Sequence, residues 1–377
     1  MAETTISSDI SANDRALKLI YTTLNQEISP ESVILSGSRA TGRADANSDY
    51  DIVVWLSTWK AILYYIKLKR LESKLADLLQ TSVTVNPLTP FVSKQDNNLF
   101  LLKLRLEGVI LSGSNVLTKI QTTDPKKVSS RRIFSYLFTA LRVLLENVKP
   151  GFNGNASFNI NSKTGKALIK AYSMCGELWL LSHGMYESQL NRIITLISKT
   201  TPGRTMPDPN QKAIHHELGG ISKSIKSDIP ITGTTWFSCR DQLISLLLQM
   251  TKNISARPDE TDILDLSETY LNSPIGSRLK NLEYFMQSAI KGKFKSLNWV
   301  LRKRRVDQQI HVAVLMLVSS IKPDGSISRK HLEATKLALS RIMSLRTYDS
   351  SREDEWLALR DAILVNWSFT ETIMGVF

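Results

Sequence analysis

The stretch from Val33 to Val54, VILSGSRATGRADANSDYDIVV, constrains this chain more than any other. Val33, Ile34 and Leu35 are apolar and run directly into Ser36-Gly37-Ser38, the pattern of a buried strand that ends in a tight turn. Ten residues then separate Ser38 from Asp49, which opens a second apolar run, Asp49-Tyr50-Asp51-Ile52-Val53-Val54. Side chains two apart on a strand point to the same face, so the carboxylates of Asp49 and Asp51 aim at one place. Strands disfavour Asp without a reason, which makes the pair informative.

The chemistry follows from the residue types. Gly37 has no Cβ, so an anion such as a triphosphate can approach its backbone, and Ser38 offers a hydroxyl and an N–H where a helix begins. Arg39 and Arg43 lie in the same loop and can meet phosphate oxygens with a planar guanidinium. Two clustered carboxylates repel unless a cation lies between them. Hard carboxylate and phosphate oxygens suit Mg²⁺, at about 2.1 Å, with Mn²⁺ as a substitute. The plainer alternative is a hairpin-like connection with a capping serine and two solvated aspartates.

At these residues the chain resembles the nucleotidyltransferase superfamily with the DNA polymerase β-like fold, most closely its small MNT-like branch. The family pattern of Gly-Ser, an Arg-rich loop with a further Gly, then Ser-Asp-x-Asp is met by Gly37, Ser38, Arg39, Gly42, Ser48, Asp49 and Asp51. The resemblance implies phosphate binding at Gly37 and Ser38 and metal binding at Asp49 and Asp51. It covers roughly the first third of the chain, and it implies an α+β domain with a small mixed sheet.

Beyond the motif, Trp59 to Gln80 carries Ile62, Ile66, Leu71, Leu75 and Leu78, an amphipathic helix ahead of a strand over Ser82 to Asn86. The family usually places a third acid in that strand, as metal ligand or as base toward the attacking hydroxyl. Here it reads Val83-Thr84-Val85-Asn86. Thr84 or Asn86 can orient a water or an acceptor, and neither is a base at neutral pH. Asp77 and Glu107 are the nearest substitutes in sequence, although Glu107 reads as the end of a helix before Gly108 and a strand over Val109 to Leu111.

A length of 377 residues with 42% hydrophobic content supports two cored domains. The expected division is residues 1–120 for the catalytic domain and 128–377 for a mainly helical domain, with the polar stretch around Thr118 to Lys127 as linker. No run of eighteen apolar residues and no secretory pattern appears, so a cytoplasmic protein without a membrane span is expected. Cys175 and Cys239 have neither disulfide nor metal spacing and read as buried thiols. The net charge of +13 is uneven: residues 1–125 hold 13 Lys/Arg against 13 Asp/Glu, and the rest hold 35 against 22. Any anionic partner should therefore meet the second part.

In that part, helical patterns run over Arg131 to Asn147 and Lys166 to Ser182, the latter capped by Gly184, with more at 235–252, 260–272, 277–303, 308–320, 328–346 and 352–367. Residues 201–234, rich in Pro, Gly, Thr and Ser, read as the longest irregular segment. The segment around Lys163 to Ile193 resembles the helical domain that follows the catalytic fold in several nucleotidyltransferases, where a lysine faces the triphosphate. Lys166 is the candidate carried forward, with Lys163, Lys170 and Tyr186 beside it; solvated lysines on an amphipathic helix are the plain alternative. Lys291 to Arg305 holds seven Lys/Arg with Phe294 and Trp299 between them, a pattern for RNA phosphates and bases or for an ordinary basic helix face. Arg305 and His311 match the spacing of HEPN ribonucleases, but Val306 stands where a polar residue is usual.

The expected activity is Mg²⁺-dependent transfer of a nucleoside monophosphate from an NTP to a hydroxyl acceptor, a small molecule, protein or RNA, with release of pyrophosphate. The alternative is a non-catalytic nucleotide- or RNA-binding regulator with a degenerate site.

Overall fold

Val33, Ile34 and Leu35 are wholly buried, which demands cover on both faces of their strand. In the computed structural model, which describes residues 15–42, 44, 48–94, 98–121, 124–128, 130–200, 209–252, 263–272, 306–343 and 351–367, that strand is β1 (Ser32–Ser36). It pairs antiparallel with β2 (Tyr50–Trp55) on one side and with β4 (Val109–Gly113) on the other. β2 pairs in parallel with β3 (Val83–Leu88), so the mixed sheet has the order β3-β2-β1-β4.

The described residues divide into two compact units, one ending at Val128 and one beginning at Ser130. In the first, helix α1 (Arg15–Ile28) buries Leu17, Ile20, Leu24 and Ile28 against one sheet face, together with Val33, Leu35, Ile52, Val54, Val83 and Val85. The short α2 (Gly37–Ala40) follows β1, and α3 (Thr58–Leu79) joins the same core through Ala61, Leu68, Leu71 and Leu75. Ile34, Val53, Trp55 and Leu88 face the other way and pack with Val92 of α4 (Pro90–Ser93) and Leu101 and Leu104 of α5 (Leu99–Glu107). α5 ends at Glu107 before Gly108 and β4, as the sequence indicates. The outer edge of β3 is closed by α3: a Glu72 carboxylate oxygen accepts the Val85 N–H at 2.9 Å.

One expectation about α3 fails. Ile62, Ile66 and Leu78 are exposed, along with Trp59 and Leu63. The helix is apolar on more than one side over its first half, and Leu68, Leu71 and Leu75, at the 3.6-residue repeat, decide which side faces the sheet. Ile62 and Ile66 lie on the opposite side.

The second unit is helical: α6 (Ser130–Glu146), α7 (Lys163–Ser182), α8 (Leu190–Lys199), α9 (Pro209–Ser227), α10 (Gly233–Lys252), α11 (Ile263–Asn272), α12 (Val306–Ser320), α13 (Arg329–Ser340) and α14 (Arg352–Trp367), with a short pairing of β5 (Ser157–Phe158) and β6 (Ile231–Thr232). The stop of α7 is a Schellman motif. Gly184 has φ of 72°, and the Gly184 and Met185 N–H groups donate to the carbonyls of Leu181 and Leu180 at 3.0 and 2.9 Å. Residues 201–234 are not irregular throughout, because α9 occupies their centre. Ile214, Leu218 and Ile221 are buried at helical spacing, and that packing overrides Gly219 and Gly220.

His311 is a core residue. Its Nδ1 lies 2.8 Å from the Tyr270 hydroxyl, and its ring stacks on Phe138 at 4.4 Å between centroids. Arg305, the helix expected at 277–303 and the basic stretch 291–305 lie outside the described residues.

Candidate functional site

The turn after β1 is built around Asp51. Gly37 has φ of +70°, the left-handed region that glycine enters freely, and a Cβ there would collide with Asp51 Oδ2. Glycine is therefore required twice, for the backbone and for the carboxylate. The Ser36 hydroxyl donates to the Asp51 carbonyl at 3.0 Å, across the register pair Ser36↔Asp51. On the other side, the parallel register sets Asp51 beside Thr84, whose hydroxyl donates to Asp51 Oδ1 at 2.8 Å.

Tyr50 is buried on the face covered by α1 and α3. By strand alternation Asp51 takes the opposite face, and Asp49, exposed just before β2, precedes it at the same repeat. Thr84 and Asn86 share that face on β3. Of these two, it is Thr84 that meets Asp51, while Asn86 is registered with Val53 and is exposed.

The turn itself is closed by Thr41, whose hydroxyl lies 3.2 Å from the Gly37 carbonyl and 3.1 Å from that of Ser38, and Gly42 leaves it at φ of +69°. Ser38 is half-buried in this turn. Arg39 works within the loop: Nε and Nη2 both donate to the Ser48 carbonyl, at 3.0 and 2.7 Å, and the guanidinium lies 3.7 Å over the Tyr50 ring. It fastens the loop to the start of β2, with its N–H groups on the Ser48 carbonyl and its plane over Tyr50. Arg43 lies outside the described residues.

Among the described residues, no group of three or more His, Cys, Asp or Glu side chains is placed to hold a metal ion. Two carboxylates, such as those of Asp49 and Asp51, suit a hard divalent cation only where phosphate oxygens and water would supply the remaining ligands. Asp77 lies on α3 and Glu107 ends α5, and neither joins the pair in such a group. In the second unit, Lys166 is half-buried in the first turn of α7, its N–H bonded to the Ser162 carbonyl at 2.9 Å; Lys163 and Lys170 are exposed and Tyr186 is half-buried.

The links from Ser36 and Thr84 to Asp51 escape sequence reasoning. Their only sequence signal is a hydroxyl residue at the last position of one strand and at the second of another, and the pairing depends on a parallel register set by the intervening helix.

No curated protein and no solved structure matches the chain. Residues 17–106, about a quarter of the chain, match the family model described as a nucleotidyltransferase domain. That span runs from α1 to the end of α5 and contains the Gly37 turn, both aspartates and Thr84. The first unit is thus similar to a nucleotidyltransferase domain and is followed by a helical remainder, consistent with membership of the nucleotidyltransferase superfamily.

Proposed function

We propose that the protein transfers a nucleoside monophosphate from an NTP to a hydroxyl acceptor. The observation that carries this reading is the Asp51 carboxylate, held between the Gly37 turn and Thr84 with Asp49 on the same face, inside the matched domain. The Gly37-Ser38 turn binds the triphosphate. Asp49 and Asp51 would hold Mg²⁺, which would supply positive charge against that of the triphosphate and the departing pyrophosphate. The acceptor oxygen attacks the α-phosphorus, the bond to the β-phosphate bridging oxygen breaks, and pyrophosphate leaves with that electron pair. The acceptor proton passes to water.

Lys166 is proposed as a further triphosphate contact, supported by its place in a segment similar to the helical domains of related enzymes. The excess of 35 Lys/Arg over 22 Asp/Glu after residue 125 favours an anionic acceptor, RNA included. The missing third acid supports one other reading, a binder that retains the nucleotide and metal without turnover.

Incubation with each α-labelled NTP, Mg²⁺ and cell extract separates the two. Label that moves to an acceptor with the wild type and not with the Asp49→Ala/Asp51→Ala variant supports transfer. Nucleotide that binds while no label moves with any base or with Mn²⁺ supports the binder.

A further inference from the structure

Thr84 occupies the place on β3 that faces Asp51, and its contact there is specific. The hydroxyl has one proton; the Asp51 Oδ1 acceptor lies at 2.8 Å, whereas the Tyr50 carbonyl, the other acceptor near it, lies at 3.5 Å. The opposite carboxylate oxygen, Oδ2, lies against the glycine turn, where a Cβ would strike it. The Asp51 backbone is fixed from the other strand by Ser36. Asp51 is therefore oriented from three directions, and Thr84 supplies a side-chain donor to the carboxylate itself.

We infer that Thr84 is a positioning residue for Asp51, holding its carboxylate so that two aspartates suffice for a divalent cation bound together with nucleotide. This rests on the reading of Asp49 and Asp51 as a metal pair. A carboxylate oxygen can accept a hydroxyl on one lone pair and still face a cation with the others. A neutral donor fixes the orientation without adding charge, so the site draws its cation with two carboxylates and depends on their orientation more than a site with three would. Removing hydrogen-bond partners of ligating groups typically lowers metal affinity about 10- to 100-fold.

The test is a Mn²⁺ titration followed by electron paramagnetic resonance, with a non-hydrolysable NTP analogue present, on wild type, Thr84→Val, Thr84→Ser and Asp51→Asn. Circular dichroism melting of each variant confirms that it is folded. Thr84→Val keeps the shape of the side chain and loses the donor; Mn²⁺ affinity is expected to fall about 10- to 100-fold. Thr84→Ser restores the donor and should recover most of the wild-type affinity, which a purely steric role would not require. Folded Thr84→Val with wild-type affinity, while Asp51→Asn loses binding, overturns the role of Thr84 and leaves the metal pair standing. Wild-type affinity in Asp51→Asn as well, or no Mn²⁺ bound by wild type, overturns the metal pair and this inference with it.

Discussion

A single methyl group at position 37 should undo the site. Gly37→Ala places a Cβ on the Asp51 carboxylate and asks alanine to hold φ of +70°, a strain of about 1–3 kcal/mol. The expected outcome is a lower denaturation midpoint together with loss of NTP binding, measured by chemical unfolding and by fluorescence titration; a variant with wild-type values for both would refute the packing described. Arg39→Ala should act through the loop. Losing two hydrogen bonds to the Ser48 carbonyl and the stacking on Tyr50 is expected to cost about 1–2 kcal/mol of stability, and proteolysis should become faster between Arg39 and Ser48. Much of the site is legible in sequence because it is local: Gly37, Ser38, Asp49 and Asp51 fall within one strand–turn–strand. Thr84 is not, since its pairing with Asp51 is decided by the register of a parallel strand 33 residues away along the chain.

The elements themselves follow from the sequence wherever an apolar run or stripe is plain, as in β1, β2 and α7. Where several faces are apolar or polar punctuation is frequent, tertiary packing decides: the sequence alone marks Leu71 and Leu75 of α3 rightly, adds Ile62, Ile66 and Leu78 wrongly, and misses α9. This gives a paired prediction. Leu75→Ala, at a wholly buried site on α3, should cost about 2–5 kcal/mol, whereas Leu63→Ala, 73% exposed on the same helix, should stay within about 0.5 kcal/mol. Urea titrations of both variants check the assignment of faces, and the reverse ranking would contradict it.

The two compact units can be followed separately because both cysteines, Cys175 and Cys239, lie in the helical one and are buried. Burial pushes the Cys175 thiol up to about 12 and raises Cys239 well above the usual thiol range. Both thiols should resist a disulfide reagent at pH 8 until the helical unit opens, so labelling tracks that unit alone. The folded state keeps these protons longer than the unfolded chain does. Stability of the unit should therefore fall as pH rises past about 8.5, by up to about 1.4 kcal/mol per pH unit for each thiol; denaturation midpoints at pH 8 and 10, compared with a Cys175→Ala/Cys239→Ala variant, show it. In the other unit, we propose that one turn and two aspartates hold nucleotide and metal together. The most direct test is equilibrium titration with fluorescent NTP analogues in Mg²⁺ and in EDTA, for wild type and Asp49→Ala/Asp51→Ala. Binding in Mg²⁺ that weakens tenfold or more both in EDTA and in the double variant is the predicted result; binding that depends on neither the metal nor the two aspartates would contradict it.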